Sequence, residues 1–161
     1  MNQNVFIKTD AGDTFIGQVW PDDAAFPDWF SENTASWWGK QLSNFYDQVK
    51  FDGLWLDMNE ASNFCNGVCY ESQMAANPVK NKLPYIPTGR DLEMKSITLD
   101  AKHANGYTEL DVHSLFGAME SAVTHQWFQT EKKSRTMIIE RSAFAGMGKY
   151  ASRWLGDNFS S

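Results

Sequence analysis

The sequence predicts an α/β fold in which a parallel sheet is covered by helices. Two short apolar runs, 54–56 and 136–139, do not alternate with polar residues, as is typical of strands buried on both faces. Segments with helical spacing lie between the strand-like runs, and this alternation favours parallel strands joined by helices. The sequence contains neither GxGxxG nor a Walker A motif, so a nucleotide-binding doubly wound sheet lacks its fingerprint.

The first predicted elements are two short strands, a helix and a third strand. The two strands fall within residues 5–20 around a turn at 10–13, and the prolines and aspartates of 21–27 mark a loop. A helix is predicted over 34–49, where the apolar residues that share one face are Trp38, Leu42, Phe45 and Val49. The apolar run 54–56 is then predicted to be a buried strand.

The second half begins with a loop of about fifty residues, 59–108, which is far longer than the usual connection. Such loops are functional or disordered, and the segment LPYIP favours packing over disorder. Helical spacing returns over 110–129 and is followed by a strand at 136–139, a short helix within 146–152 and a last strand that leads into Asp157. This order fits a piece of a (β/α)8 barrel, whose chemistry lies at the carboxyl ends of the strands.

Composition and charge exclude several classes of protein. The chain has 161 residues, enough for one domain, and its apolar stretches are too short to span a membrane. A net charge of −6 without a basic patch makes nucleic acid a poor partner. The seven Trp are expected mostly in the core, although a flat ring also suits the apolar face of a sugar.

The two cysteines, Cys65 and Cys69, lie in the segment CNGVC. A local disulfide across the Asn66-Gly67 turn would imply an oxidising compartment, whereas two free thiols in a loop are an equally good interpretation. A zinc site needs about four ligands, and no second cysteine pair or HExxH motif accompanies this one. No metal site is therefore expected.

Charged residues follow three successive predicted strands. Asp57, Arg141 and Asp157 each come directly or shortly after a strand, so a barrel would bring them to one rim. Two facing carboxylates suit glycoside hydrolysis, in which one attacks the anomeric carbon and the other protonates the leaving oxygen. The alternative is that the two aspartates are a helix cap and a turn residue, and spacing alone slightly favours that alternative.

The segment DGLWLDMNEASNF closely resembles the signature of glycoside hydrolase family 31, the α-glucosidase family. Further blocks resemble that family in the same order: GQVWP, FPDW, the pair Trp37-Trp38, LPYIP, LDAKH, DVHSLFG and RSAFAGMGKYASRWLGDN. The likeness covers nearly the whole chain. It implies that residues 1–161 are a fragment of the family's catalytic (β/α)8 barrel, approximately the third to sixth strands.

The resemblance also implies roles for individual residues. Asp57 matches the catalytic nucleophile and Asp157 the acid/base, while Glu60 matches a second acidic position of the catalytic set that is expected to orient its neighbours. Arg141 matches a residue that binds sugar hydroxyls. The remaining positions that match the lining of the glucose pocket are Trp20, Trp55, Met58 and Trp154. For Trp55, a place in the barrel core is an interpretation of nearly equal weight.

The chain departs from the family's pattern at a few positions near the expected pocket. Asp22 stands where glycine is frequent, Ser152-Arg153 where Gly-His is common, and Glu140 where a small residue is usual. These departures concern substrate preference rather than the identity of the two carboxylates.

The expected activity is that of a retaining α-glucosidase, which hydrolyses terminal non-reducing α-linked glucose without a cofactor. The alternatives are an α-xylosidase or transglucosidase of the same family, or a truncated, non-catalytic sugar-binding fragment. The expected partner is an oligosaccharide or α-glucoside, and the 161 residues alone are expected to be inactive. Localisation is open, with a secretory, lysosomal or extracellular site implied by the resemblance.

Overall fold

The computed structural model describes residues 4–86, 89 and 91–157. The chain forms two compact units, and the sequence alternates between them. Unit A comprises Met1–Thr34 and Ala61–His113, and unit B comprises Ala35–Glu60 and Ser114–Ser161.

Unit A contains an antiparallel hairpin of two strands, β1 (Ile16–Val19) and β2 (Asp22–Ala25). The prediction of a loop over 21–27 is therefore wrong for β2, because the backbone bonds that close a tight turn at 20–21 outweigh the poor strand propensity of its aspartates. The segment 5–8 makes only isolated bridges, including Lys8 to Thr14. The hairpin and this segment bury three large side chains: Ile7, Phe15 and Phe26.

The long loop of unit A is packed, although it contains only short helical turns. Two 3-10 helices, Glu71–Gln73 and Val79–Lys82, interrupt it. Its organising residue is the buried Glu93, whose Oε1 accepts hydrogen bonds from Thr98 Oγ1 at 2.8 Å and from the backbone N–H of Leu99 at 2.9 Å. A disulfide joins Cys65 to Cys69, with the Cα atoms 5.3 Å apart. The loop ends at α2 (Glu109–Val112).

Unit B alternates helices with a parallel sheet. Its regular elements, in chain order, are α1 (Thr34–Gln48, from Ala35 onward in this unit), β3 (Gly53–Leu56), α3 (Phe116–Trp127), β4 (Met137–Glu140) and β5 (Ser152–Arg153). The strand order is β3-β4-β5, with Gly53 opposite Met137 and Ile139 opposite Ser152. A 3-10 turn, His113–Leu115, leads into α3, a π-helical turn, Phe128–Lys132, extends it, and a 3-10 helix, Met147–Lys149, precedes β5. The predicted parallel sheet is thus present, but the described residues do not close a barrel.

The core of unit B lies between the sheet and its helices. Its most buried members include Leu42, Leu56, Trp127, Phe128 and Ile138. Successive side chains of a strand point to opposite faces, and only one face of β3 is covered by this core. Leu56 is therefore 7% exposed while the adjacent Trp55 is 66% exposed, so the prediction that the whole run 54–56 is buried is wrong for Trp55.

Candidate active site

The carboxyl ends of β3 and β4 lie side by side. The backbone N–H of Arg141 donates to the carbonyl of Leu56 at 3.2 Å, which extends the parallel ladder one residue beyond the end of β4. Asp57 and Arg141 therefore leave the sheet at the same edge, as expected for residues that follow neighbouring parallel strands.

Arg141 is the centre of a cluster of three carboxylates. Its Nε and Nη2 both donate to Glu60, each at 2.9 Å, in a bidentate pair. Its Nη1 lies 3.3 Å from Asp57 Oδ1 and 3.4 Å from Asp157 Oδ2. The hydrogen bonds to Glu60 raise the pKa of Arg141 above its ordinary value, which is already high. The guanidinium therefore keeps its charge throughout the working pH range.

The two aspartates are held differently. Asp57 Oδ1 also accepts a hydrogen bond from the backbone N–H of Met58 at 2.8 Å, and the side chain is 35% exposed. Asp157 sits at a backbone φ of +60° with a side chain that is 80% exposed. A left-handed conformation is tolerated by aspartate better than by most residues, and here it accompanies a carboxylate that remains open to solvent.

A pocket of about 520 Å³ opens beside this cluster. Its lining residues are Glu60, Arg141, Ser142, Ala143, Arg153, Gly156 and Asp157. Arg153, one of the departures from the family pattern, brings a second cation to the wall. Nearby in unit B, Trp55 and Trp154 pack edge to face with ring centroids 5.5 Å apart.

Not every predicted site residue is brought to this pocket. Glu60, Arg141 and Asp157 line it, and Asp57 joins them through Arg141. Met58 has a backbone φ of +56° directly after the candidate nucleophile but is not a lining residue. Trp20 belongs to unit A, where it is 81% exposed and packs edge to face against Phe64; its role in the site stays a prediction.

Sequence reasoning did not identify the buried residues that pack next to the Arg141 cluster. Asn59 is 4% exposed, and its Oδ1 accepts the backbone N–H of Ser142 at 2.8 Å. Its Nδ2 donates to Glu140 Oε2 at 3.0 Å. Gly117 of α3 allows this approach, because a Cβ there would lie 2.7 Å from the Asn59 carbonyl oxygen. Gly117 can be read from the sequence, but no sequence pattern indicates that it packs against the backbone of Asn59.

Neither a metal site nor a membrane-spanning helix is present in the part of the chain that the structure describes. Among residues 4–86, 89 and 91–157, no group of histidine, cysteine, aspartate and glutamate side chains has the arrangement to hold a metal ion. Within the same described part of the chain, no helix has the length and apolar character to cross a membrane.

In α/β barrel enzymes the catalytic residues lie at the carboxyl ends of the strands, and this sheet carries Asp57 and Arg141 at that edge. The chain belongs to glycosyl hydrolases family 31, whose TIM-barrel domain matches residues 1–161. The family resemblance is thereby confirmed. Enzymes of this family act on O-glycosyl bonds.

Individual relatives agree with the family match. Alpha-xylosidase 1 of Arabidopsis thaliana is 37% identical over 98% of the chain and 20% of its own length. Lysosomal alpha-glucosidase of Bos taurus is 37% identical over 99% of the chain and 17% of its own length. A solved glucosidase II alpha subunit has a TM-score of 0.73 and 25% identity, over 99% of the chain and 15% of its own.

These comparisons show the TIM-barrel class of fold, whereas the strand range, third to sixth, stays a prediction. The chain spans about a fifth or less of the length of the relatives it matches.

Proposed function

We propose that the chain is a segment of a retaining α-glucosidase that hydrolyses terminal non-reducing α-linked glucose from oligosaccharides. One observation carries the proposal: Asp57 and Asp157 both contact the same nitrogen of Arg141. Asp57 Oδ1 and Asp157 Oδ2 are therefore no further apart than their two contact distances to that nitrogen, 3.3 and 3.4 Å, taken together. Retaining glycosidases hold their carboxyl groups about 5–5.5 Å apart, and the contacts that Asp57 and Asp157 share with one nitrogen are compatible with that separation.

In the proposed reaction, Asp57 attacks the anomeric carbon and forms a glycosyl-enzyme ester while Asp157 protonates the departing oxygen. Asp157 then removes a proton from the water that hydrolyses the ester. The ion pair with Arg141 Nη1, at 3.3 Å, orients the carboxylate of Asp57. Glu60 fixes the guanidinium from the opposite side, which leaves one Nη group for the two aspartates. Two carboxylates and water complete the cycle, so the proposal includes no cofactor.

A second activity is favoured by a specific relative. The alpha-xylosidase is as similar in sequence to this chain as the lysosomal alpha-glucosidase is, and the two sugars differ by one hydroxymethyl group. A pocket distinguishes such substrates by only about 1–3 kcal/mol per small group. Paired assays on matched α-glucoside and α-xyloside substrates therefore decide between these activities. Transglucosidase activity would appear as longer oligosaccharides in the same reactions.

A secretory, lysosomal or extracellular location is part of the proposal. The disulfide between Cys65 and Cys69 is typical of oxidising compartments. Among the similar proteins, three are named lysosomal alpha-glucosidase and one is named ER glucosidase II. The proposed partner is an α-linked oligosaccharide.

The test uses protein expressed from the complete open reading frame that encodes this chain. Proton NMR of the first glucose released from an α-glucoside should show the α-anomer. Asp57→Ala should abolish release, whereas Asp47→Ala should not, because Asp47 is an exposed residue of α1 that pairs only with Lys50 among the described ion pairs. Initial release of the β-anomer would refute the retaining mechanism. Sugar binding without turnover would favour the non-catalytic alternative.

A further inference from the structure

The side-chain amide of Asn59 bonds to both residues that flank Arg141. Its Oδ1 accepts the backbone N–H of Ser142 at 2.8 Å, and its Nδ2 donates to Glu140 Oε2 at 3.0 Å. Both Asn59 and Glu140 are buried. Because Arg141 lies between Glu140 and Ser142 in the chain, one amide from the segment after β3 contacts the end of β4 on each side of the arginine.

The two partners fix the direction in which the amide points. The backbone N–H of Ser142 can only donate, so the atom that faces it must be the oxygen of the amide. The nitrogen then faces Glu140 Oε2, which also accepts a hydrogen bond from the hydroxyl of Ser121. Leaving a buried donor or acceptor without a partner is costly, so this orientation is strongly preferred. An apolar side chain of the same size cannot reproduce either bond.

Helix α3 packs directly against this amide. A Cβ at Gly117 would lie 2.9 Å from Asn59 Nδ2 and 2.7 Å from Ser142 Cβ, so the helix leaves the two residues little room to separate. Glu120 of the same helix also hydrogen-bonds to the side chain of Asn59. Met58, the preceding residue, has a backbone φ of +56°, which is uncommon for a residue with a side chain. Such a conformation persists where the surrounding contacts enforce it.

The ion pairs of the candidate active site depend on the two segments that the amide joins. Glu60 follows Asn59 in the chain and accepts two hydrogen bonds from Arg141, each at 2.9 Å. The backbone N–H of Arg141 donates to the carbonyl of Leu56 at 3.2 Å. A shift of either segment would therefore change the 3.3 Å contact between Arg141 Nη1 and Asp57.

We propose that Asn59 is a positioning residue, whose amide fixes the guanidinium of Arg141 relative to Asp57. It does so by donating to one neighbour of Arg141 and accepting from the other. Asn59 does not line the pocket, so it acts on a substrate only through the residues that do. The effect on catalysis rests on the proposed function, whereas the restraint on the backbone at Ser142 does not.

Kinetics of the complete protein on an α-glucoside test the positioning. Asn59→Leu removes both hydrogen bonds at similar size, and kcat should fall by up to about 100-fold, since small displacements of reacting groups cost that much. The change in KM should be smaller, because Arg141 contacts the two reacting carboxylates. Asn44→Leu makes the same change at an exposed position of α1 and should leave kcat unchanged. Equal kcat in Asn59→Leu and wild type would refute positioning.

A matched pair of variants isolates the bond between Asn59 and Glu140. Glu140→Gln and Glu140→Leu are both uncharged and similar in size, but only glutamine can accept from the amide. Glu140→Gln should therefore retain most of kcat, whereas Glu140→Leu should lose about 10-fold, a part of the loss expected for Asn59→Leu. Ser121→Ala, which removes the other donor to Glu140, should change kcat less than Glu140→Leu does. Equal kcat in the two Glu140 variants would overturn the assigned direction of the amide.

Hydrogen exchange tests the restraint apart from catalysis. Exchange of the Ser142 N–H, resolved by fragmentation and corrected for the intrinsic rate, should be about 10-fold faster in Asn59→Leu, because the bond that protects it is lost. Glu140→Gln should exchange at the wild-type rate, and Glu140→Leu faster. An unchanged rate in both Asn59→Leu and Glu140→Leu would overturn the proposal.

The two proposals fail in different ways. If the wild-type protein cleaves no glycoside, the proposed function fails, and exchange at Ser142 still decides whether the amide restrains that segment. If exchange accelerates while kcat stays constant, the restraint stands and positioning is refuted. Should Asn59→Leu not fold, the comparison of Glu140→Gln with Glu140→Leu decides both questions.

Discussion

Removing the imidazole of His103 is expected to increase local unfolding of residues 98–113 in unit A. The ring is fully buried between two buried carboxylates, with Nδ1 2.8 Å from Asp28 and Nε2 3.0 Å from Glu109. Burial alone would lower the pKa of His103, but the hydrogen bonds and charges of both carboxylates raise it from 6.5 to about 9. A shift of that size corresponds to about 3 kcal/mol. Breaking a buried ion pair costs about 3–5 kcal/mol, a range that agrees with the value obtained from the pKa shift.

The sign of the pH dependence follows from the raised pKa. The stabilisation is complete below the unfolded-state pKa near 6.5 and is lost as the pH rises through about 9. Hydrogen exchange of peptides covering 98–113, measured in the complete protein and corrected for intrinsic rates, should show protection that declines from pH 8 to pH 10. His103→Gln should exchange roughly 100-fold faster at pH 7.

The matched control for this prediction is His125→Gln. His125 belongs to unit B, where its ring packs against Tyr150, so exchange in 98–113 should not change. Two results would show that these carboxylates do not require a buried imidazolium. One is protection of the wild-type peptides that stays constant from pH 7 to pH 10. The other is an exchange rate in His103→Gln equal to that of the wild type.

Three further predictions concern the site, the disulfide and the chain alone. Asp157→Ala should retain more activity on glucosides with good leaving groups than on natural ones, whereas Asp57→Ala should lose both, as steady-state assays on the two substrate types will show; equal losses would contradict the assigned roles. Replacing Cys65 and Cys69 by serine should lower the melting temperature, since the closed loop restrains the unfolded chain, and a reductant should then have no further effect; an unchanged melting temperature would argue against a stabilising bridge. The 161 residues expressed alone should bind a hydrophobic dye and hydrolyse no chromogenic α-glucoside, because large apolar side chains of β3 and β4 are exposed; a cooperative transition with turnover would contradict this.

Strands β3 and β4 were predictable because each contains a short apolar run that is followed by a charged residue. The positions of Asp57 and Arg141 at one edge follow from that pattern alone, since the carboxyl ends of neighbouring parallel strands meet. The last strand was predicted at Trp154-Leu155, but β5 is the polar pair Ser152–Arg153 just before it. Strand β2 was not predictable, because its sequence DDAA has poor strand propensity and is held by pairing with β1. The sequence also left the state of Cys65 and Cys69 open, and the structure joins them in a disulfide.

The residues behind the site were the hardest to anticipate. Glu120 lies on a helix and Glu140 at the end of a strand, and no spacing rule relates two positions on different elements. Glu140 stood out only as a departure from the family's small residue, without indication that it would be buried. The exposure of Trp55 was equally hidden, because an apolar run does not state which of its faces is covered.

The parallel pairing of β3 with β4 has a consequence during synthesis. Gly53 of β3 lies opposite Met137 of β4. Strand β3 therefore leaves the ribosome about eighty residues before β4 has been synthesised. Translation adds roughly 5–20 residues per second, so this strand waits on the order of 4–16 s with its edge unpaired. Throughout that interval Leu54, Trp55 and Leu56 offer an apolar surface to any chaperone nearby. The rate of translation between the two strands is therefore expected to influence the yield of folded protein more than the rate anywhere else in unit B.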